Sequence, residues 1–426
     1  MLRRLAACLL VAAPAFGCSA DDPKEPIKIG LSASLSGFDD AWGMQIRDIV
    51  VATVDEINAV GGIDGAELEL VIRDDGSEAA PAVVAVQALI DEGVVGIIGG
   101  FWSNQLEAVT PLVRDARIPL LSPSSTAPEL IDMPADDGFV FRTAPNDDLQ
   151  SLAMAFYLAE VAQPSSSSSI AIVHEDGSYG VGLAGALQEQ WVDSRGRQLA
   201  GMIDFTADLD QAGATALWSR IAAANPSTIV MVSGGADANI LIRTWQGSGQ
   251  LPGVKWFLSD AAKQTDLFGD ATTELPATIE GVRGSAPTYP RTGIAFQTFV
   301  DVIRDRTGMD VSQEAYFPNT WDAVYLLAAG LVQQAQAGDS FGGAPLRDAI
   351  ASVSRGGQIF HAGQWRNLVL ALRAGGDVDY DGAAGPVDFD PDGETLSPYE
   401  VWEARRTTAW EFAQVEYMDA ADLYGP

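Results

Sequence analysis

The chain has 426 residues, of which 47% are hydrophobic, and its formal net charge at pH 7 is −33. This length and apolar content are sufficient for two hydrophobic cores of ordinary domain size. So acidic a surface repels nucleic acid and anionic head groups, which argues against those partners, and no later apolar run reaches the ~18 residues of a membrane span.

The N-terminus has the pattern of an export signal. A basic n-region, an apolar h-region too short to span a bilayer and a small-residue cleavage site follow one another over residues 1–17. Cys18 directly after the cut is typical of a bacterial lipoprotein, so we expect Cys18 to carry a lipid and residues 18–26 to form a tether. The expected location is periplasmic, anchored to a membrane of the cell envelope. A cleaved periplasmic protein with an incidental cysteine is the alternative.

Strand and helix patterns alternate along most of the chain, as in parallel sheets covered by helices on both faces. The first predicted set is strand 28–31, helix 42–60, strand 68–72, helix 79–91, strand 94–98, helix 105–114 and strand 118–121. After residues 141–145 the second set is helix 149–161, strand 170–173, helix 179–193, strand 199–205, helix 212–224, strand 228–232, helix 238–246 and strand 255–258. We therefore predict an α/β fold with two doubly wound parallel-sheet lobes.

The remaining elements predict that the chain crosses between the lobes three times, forming a hinge. Helices 294–306, 320–337 and 345–354 have no strands between them and are expected to cover the first lobe, while strands 399–404 and 410–417 return to the second. The predicted first lobe is 27–143 plus 286–385, and the second is 144–285 plus 386–417. Ligands of such sheets bind at the carboxyl ends of the strands, which here face one cleft.

Four segments that follow predicted strands carry candidate binding groups. Segments 99–104 and 122–130 supply hydroxyls and backbone N–H groups at helix starts, which suit a carboxylate. Segment 174–180 contributes an aromatic residue, and segment 256–260 ends in a lone acid, which suits an ammonium group. Together they predict a pocket for a zwitterion.

At this point the chain closely resembles the type I periplasmic binding fold, in particular the leucine/isoleucine/valine-binding protein family that serves branched-chain amino acid ABC importers. The resemblance covers about residues 27–417 and rests on segments 34–37, 41–43, 55–63, 122–130 and 385–390. It implies a monomeric receptor without a cofactor, which captures an amino acid or related small carboxylate between its lobes for a membrane permease. A receptor of the same fold that signals to a membrane sensor is the alternative function.

The resemblance also assigns roles to individual residues. It implies that Ser103, Thr126 and the loop residues Ser124 and Ser125 hold the ligand carboxylate, that Asp260 pairs with the ammonium and that Tyr179 closes the cleft. Trp42 and Trp102 would line the side-chain end. The segment 233–237 departs from the family, which often places an aromatic residue there, so branched-chain specificity stays open.

Each of these residues also has a structural interpretation. The hydroxyls of the 124–126 loop could cap the following helix, and Asp260 could be the N-cap of the segment after it. Tyr179 could be a packing residue at a helix start, and Trp42 and Trp102 could be core residues. If Asp260 does not bind the ammonium, Asp237 is the next candidate.

Enzymatic and metal-binding functions have little support in the sequence. The two histidines lie far apart, and no nucleophile elbow, Walker loop or dinucleotide-binding glycine pattern follows a strand. Residues 388–393 partly match a calcium loop, but Tyr399 stands where the bidentate Glu is needed. A hairpin turn at Asp392 and Gly393 is the preferred interpretation.

Overall fold

A computed structural model describes residues 24–130, 137–162, 169–269, 273–275, 280–338 and 340–424. The export signal, Cys18 and most of the predicted tether lie outside these residues. Within the described ranges, no helix combines the length and the apolar character needed to cross a membrane.

The helices and strands follow the predicted alternation closely. In the first half they are β1 (Ile27–Ala33), α1 (Asp40–Ala59), β2 (Leu68–Asp74), α2 (Ala79–Asp91), β3 (Ile97–Ile98), α3 (Ser103–Ala116), β4 (Leu120–Ser122), β5 (Val140–Arg142), α4 (Asp147–Phe156), β6 (Ser169–Glu175), α5 (Ser178–Gln188) and β7 (Gln198–Phe205). They continue with α6 (Gln211–Ala224), β8 (Thr228–Val232), α7 (Gly235–Ser248), β9 (Lys255–Leu258), β10 (Arg283–Pro287), α8 (Ile294–Thr307), α9 (Phe317–Ala337), α10 (Gly343–Val353), β11 (Gln358–His361), α11 (Trp365–Arg373), β12 (Val378–Asp381), β13 (Tyr399–Arg406), β14 (Trp410–Met418) and α12 (Ala420–Tyr424). Helices α4 and α5 each continue into a π-helical turn, over Tyr157–Ala162 and Glu189–Asp193.

The strands form two principal sheets, each the core of one lobe. The first has the order β2-β1-β3-β4-β5 and is parallel throughout. The second has the order β14-β13-β10-β9-β8-β6-β7, in which β6 to β10 are parallel. The predicted two-lobed α/β fold is confirmed, with one correction: β13 and β14 run antiparallel, so the second sheet is mixed.

Burial explains why these segments adopt their structures. All five residues of β8 are buried, as expected of a central strand covered on both faces. Helix α1 buries Ile46, Ile49, Val50, Thr53 and Ile57, whose spacing of three and four residues places them on one helical face. Helices α8 to α11 cover the first sheet, since they share its core cluster, whereas α12 packs against a cluster of the second lobe.

Three chain segments cross between the lobes, and two of them are tied together. The first follows β5, the second follows β10, and the third joins β12 to β13. Arg142, the last residue of β5 before the first crossing, forms a buried ion pair with Glu394 on the third crossing. Asn146 donates from Nδ2 to Glu394 Oε2 at 3.0 Å, so the pair also holds the residue before α4.

The C-terminal third holds features that the sequence patterns did not reveal. Strands β11 and β12 form a small parallel sheet around α11, and β10 joins the second sheet. The turn predicted at Asp392 and Gly393 is present: Gly393 N donates to Asp390 O at 3.1 Å, Asp390 N donates to Glu394 O at 2.9 Å, and Gly393 has a φ of +82°. The flanking described residues do not extend this turn into a pair of strands. Gly393 O instead accepts from Arg142 N at 2.8 Å, which docks the third crossing on the first.

Candidate functional site

A narrow cavity lies between the two lobes, where the strands of both sheets end. About 370 Å³ of it is free of protein atoms when the solvent at its mouth is included. The residues that line it are Trp42, Phe101, Trp102, Ser103, Ser124, Thr126, Tyr179, Asp260, Ala261, Gln264 and Tyr316. Seven of the eight predicted binding residues are among them, and Ser125 is not.

The hydroxyl groups of the 122–127 loop organise the first-lobe wall of the cavity. Ser103 Oγ accepts from Thr126 N at 3.3 Å and from Ala127 N at 3.2 Å, and Ser125 Oγ donates to it at 3.3 Å. Ser124 Oγ donates to Phe101 O at 2.7 Å. These bonds hold the loop against the start of α3, so Ser125, which is fully buried, supports the wall without lining the cavity.

The Asp260 carboxylate forms the opposite, second-lobe wall. It is 2% exposed and is the first residue of a 3-10 turn, whose N-cap is Ser259, so the N-cap interpretation of Asp260 is wrong. Tyr179 Oη and Gln150 Nε2 each donate to Oδ1 at 2.7 Å, and Tyr316 Oη donates to Oδ2. Burial, with the Asp260 charge next, raises the pKa of both phenols well above the usual value, so they stay protonated and donate.

A buried ion pair anchors the turn that carries Asp260. Lys263 Nζ lies 2.7 Å from Glu400 Oε1 on β13, and neither side chain reaches solvent. Thr288 Oγ1 on the second crossing donates to Glu400 Oε2 at 2.9 Å. The position of Asp260 is thus fixed to the sheet and to a segment between the lobes.

Tyr316 is a site residue that the sequence patterns did not identify. It lies just before α9 in the first lobe with φ of +66°, a left-handed conformation that is unfavourable for a residue with a side chain. Its N–H donates to Tyr289 Oη at 2.7 Å, and its own hydroxyl reaches Asp260 of the second lobe. Pro318 marks the start of α9, and this signal could have directed attention to the residue before the helix. Ala261 and Gln264 also line the cavity without having been predicted.

The two predicted tryptophans line the cavity and also pack together. The rings of Trp42 and Trp102 have centroids 6.3 Å apart, and Trp42 stacks on Phe317 at 6.1 Å. The ring of Phe38 also packs against Trp102, with centroids 5.4 Å apart. Both tryptophans thus pack against other aromatic rings and also line the cavity, where they form an aromatic wall.

A second, wider cavity continues outward and is strongly acidic; we call it the acidic vestibule. It shares Trp102, Ser103, Tyr179 and Gln264 with the inner cavity and includes Gly234 from the segment that departs from the family pattern. Seven carboxyl groups line it, and its described lining includes no Lys or Arg: Asp39, Glu78, Glu175, Asp176, Asp208, Asp237 and Asp266.

Burial and the crowding of like charges both raise the pKa of carboxyl groups in the vestibule. Burial raises the pKa of Asp39 and of Glu175 to about 8, and neighbouring carboxyl groups, first Asp266 and Asp237 respectively, add to the effect. The Asp237 carboxylate accepts hydrogen bonds from Leu209 N at 2.7 Å and from Asp208 N at 3.2 Å. It lines the vestibule but not the inner cavity, which makes it a poor substitute for Asp260.

Two lobes with a polar and aromatic cavity between their strand ends define a solute-binding receptor. Residues 26–409 match the family model described as "Periplasmic binding protein", and the chain belongs to this family, as a type I member related to the leucine/isoleucine/valine-binding proteins. The family implies an extracytoplasmic location, and the relatives found are binding proteins.

The chain is 30% identical over 185 residues to a leucine-, isoleucine-, valine-, threonine- and alanine-binding protein of Pseudomonas aeruginosa, covering 43% of this chain and 47% of that protein. The match thus spans about half the length of that relative. A Leu/Ile/Val-binding protein homolog of Brucella melitensis is 24% identical over 77% of this chain and 86% of its own.

Solved structures share the fold at low sequence identity. A leucine-binding protein of Thermotoga maritima superposes with a TM-score of 0.74 at 21% identity, covering 93% of this chain and 99% of its own. A solute-binding protein of R. palustris in complex with 4-hydroxybenzoate gives a TM-score of 0.74 at 17% identity, covering 94% and 98%.

Proposed function

We propose that this protein is an extracytoplasmic receptor that captures an α-amino acid, or a related small carboxylate, between its lobes and presents it to the membrane permease of an ABC importer. The observation that carries the proposal is the placement of Asp260. Among the described residues that line the inner cavity, Asp260 is the only charged side chain, and it faces a wall of hydroxyl and backbone donors.

The opposite wall suits a carboxylate without a basic residue. Helix α3 begins at Ser103, so the free N–H groups of its first turn and the positive end of its dipole lie at the cavity. Thr126 adds a hydroxyl group on the same side. Neutral donors fixed in this way bind an anion without the energetic cost of burying a separate cation.

The side-chain end suits an uncharged, apolar group. Trp42, Phe101 and Trp102 supply aromatic surface there, and the acidic vestibule beyond them repels a second carboxylate. Relatives named for leucine, isoleucine, valine, threonine and alanine support an amino acid ligand. Structural neighbours with 4-hydroxybenzoate or 3,4-dihydroxybenzoic acid support carboxylate binding in general.

Contacts across the cleft support closure on the ligand. Tyr316 of the first lobe donates to Asp260 of the second, and Ser178 Oγ donates to Glu107 Oε2 from α5 to α3. A ligand that touches both walls adds to these contacts in the closed state alone, so it shifts the population towards closure. A permease can then distinguish the loaded receptor by its shape.

The anchor and the mode of delivery are part of the proposal. Cys18 follows a signal-like segment, and a lipid there would hold the receptor at the membrane that carries its permease. The alternative function, a receptor that reports its ligand to a membrane sensor, uses the same cavity. A permease gene beside the receptor gene favours import.

A thermal-shift screen of the mature protein tests the ligand class. A compound that binds only the folded protein stabilises it by about 2.7 kcal/mol at a hundredfold excess over its dissociation constant. We expect amino acids with aliphatic or aromatic side chains to raise the melting temperature, and aspartate and glutamate to have no effect. A response confined to sugars or nucleosides would refute the proposed function.

A further inference from the structure

A second carboxyl group lies near Asp260 but does not line the cavity; it belongs to Asp147, the first residue of α4. Asp147 is completely buried, and neither of its carboxyl oxygens has a hydrogen-bond partner among the described residues. Its backbone N–H donates to Thr126 O at 2.9 Å, which places it directly behind the loop that lines the first-lobe wall. A buried, unpartnered carboxyl group is expensive to keep ionised, so its presence here calls for a reason.

The surroundings of Asp147 connect it to Asp260. Gln150 follows three residues later on the same helical face and donates to Asp260 Oδ1 at 2.7 Å. Gln150 Oε1 and Ser259 Oγ, both on fully buried residues, also have no partner within the described chain. One face of α4 and the turn of Asp260 therefore share a buried region rich in unused acceptors, which suits a group with several N–H donors.

Three charged groups face Asp147, one each from the turn of Asp260, from β5 and from α4. Asp260 repels it, and Arg142 at the end of β5 attracts it. Arg142, however, is already paired with Glu394 and donates to Ala127 O at 2.8 Å.

Two hydroxyl groups and one further carboxyl group complete these surroundings. The nearby neutral groups are the Thr126 hydroxyl, which lowers the pKa of Asp147 against the effect of burial, and the Tyr179 phenol; Asp148 on the same helix is exposed. Burial, with the Asp260 charge next, raises the pKa of Asp147 well above its ordinary value.

We propose that Asp147 is a positioning residue for amino-group recognition, which holds a proton while the site lacks an ammonium group and releases it when an ammonium group binds beside Asp260. This inference rests on the proposed function. The proton balance is simple: the O–H bond of the Asp147 carboxyl group breaks, and the proton passes to solvent. Asp147 and Asp260 together carry one negative charge before binding, and the two carboxylates with the ammonium carry one afterwards. The ligand carboxylate brings a further negative charge, which the neutral donors of the first-lobe wall hold.

The linkage has a definite sign. The ammonium lowers the pKa of Asp147 relative to the complex with a deaminated analogue, which brings the same carboxylate. The affinity for the amino acid relative to the analogue therefore rises with pH, by up to about tenfold per unit between the two pKa values. A deaminated analogue brings no ammonium and releases no proton from Asp147. Closure also buries the vestibule carboxyl groups, including Asp39 and Glu175, which favour the protonated form. Both ligand types bury these groups equally, so their contribution cancels in a comparison.

Isothermal titration calorimetry in phosphate and in Tris at one pH measures the protons released on binding, because the buffers differ in ionisation enthalpy. Each amino acid that shifts the melting temperature is compared with its deaminated analogue, such as L-leucine with 4-methylpentanoate. We expect the amino acid to release up to one proton more per site. In Asp147→Asn this difference should vanish while binding remains. The matched control, Asp148→Asn, changes an exposed carboxyl group on the same helical turn and should behave as the wild type.

Several outcomes overturn the inference. The inference is overturned if the amino acid and its analogue release equal numbers of protons on binding to the wild type. This comparison uses the wild-type protein alone, so it remains decisive even if Asp147→Asn fails to fold. If the deaminated analogue does not bind measurably, the amino acid alone is compared between the two proteins. In that case, a folded Asp147→Asn that releases as many protons as the wild type overturns the inference. If no amino acid binds the wild-type protein at all, the proposed function itself fails, which is a separate result from amino acid binding without proton release.

Discussion

Replacing Asp260 by Asn tests the amino-group site most directly. The amide keeps one oxygen to accept from Gln150 and Tyr179, and the Tyr316 hydroxyl can turn to accept from the new N–H group. The fold should therefore survive, while the negative charge is lost.

The expected loss follows from the burial of Asp260. Two unit charges about 4 Å apart attract by about 4 kcal/mol at an effective dielectric constant of about 20, and desolvation of the ammonium offsets part of this. Loss of one member of a buried charge pair weakens binding by about 2–5 kcal/mol in other interfaces. We expect a loss of about 2–4 kcal/mol for L-leucine, which raises its dissociation constant about 30-fold to 900-fold.

The assay is calorimetric titration of the wild type and the variant with L-leucine and 4-methylpentanoate. The deaminated compound should lose little or bind more tightly, because the variant no longer buries an uncompensated carboxylate beneath it. Asp322→Asn is the control: Asp322 is also buried and held by three donors, namely Tyr380 Oη, Ala383 N and Ala384 N, each at 2.8 Å, but it does not line the cavity. Equal losses for both ligands in Asp260→Asn would show that Asp260 only maintains the structure, and the reasoning would be wrong.

Four further predictions concern the other parts of the site and the anchor. Thr126→Ala should weaken L-leucine and 4-methylpentanoate alike, by about 1–2 kcal/mol in titration, since both keep the carboxylate; a loss for leucine alone would contradict this role. Trp102→Ala should weaken leucine by about 1–2 kcal/mol but leave glycine unchanged, because only leucine brings apolar surface to the aromatic wall, and an equal loss for glycine would assign Trp102 to the fold. Burial raises the pKa of Glu175 to about 8 in the folded protein, so the contribution of this group to folding stability is fully present below its unfolded pKa and is lost as the pH rises through 8. Glu175→Gln should therefore have a higher melting temperature than the wild type at pH 9, by a margin that shrinks at pH 5. A margin that stays constant with pH would contradict this sign. Cys18→Ser should appear in the soluble fraction or remain unprocessed while binding leucine normally, and an unchanged membrane fraction and mass would remove the lipid-anchor proposal.

Local sequence patterns were sufficient for most of the framework. Strands β8 and β9 were predicted to the residue, because each is a short apolar run bounded by residues that end strands. The family resemblance, carried by short motifs and their order, is confirmed by the match over residues 26–409. It also led to seven residues that line the cavity, since loops after parallel strands must meet at one edge. Their roles in binding remain predictions.

Only the tertiary structure decided which groups meet at Asp260. Gln150 and Tyr316 lie 110 and 56 residues from it along the chain, and no local periodicity connects them. Likewise, Ser124 lines the cavity while its neighbour Ser125 does not, because side-chain direction depends on the backbone path of the loop. The antiparallel β13 and β14, the acidic vestibule and the burial of Asp147 arise in the same way. Propensity and burial patterns act over a few residues and are readable from sequence, whereas strand order and the approach of distant loops depend on the packing of the whole chain.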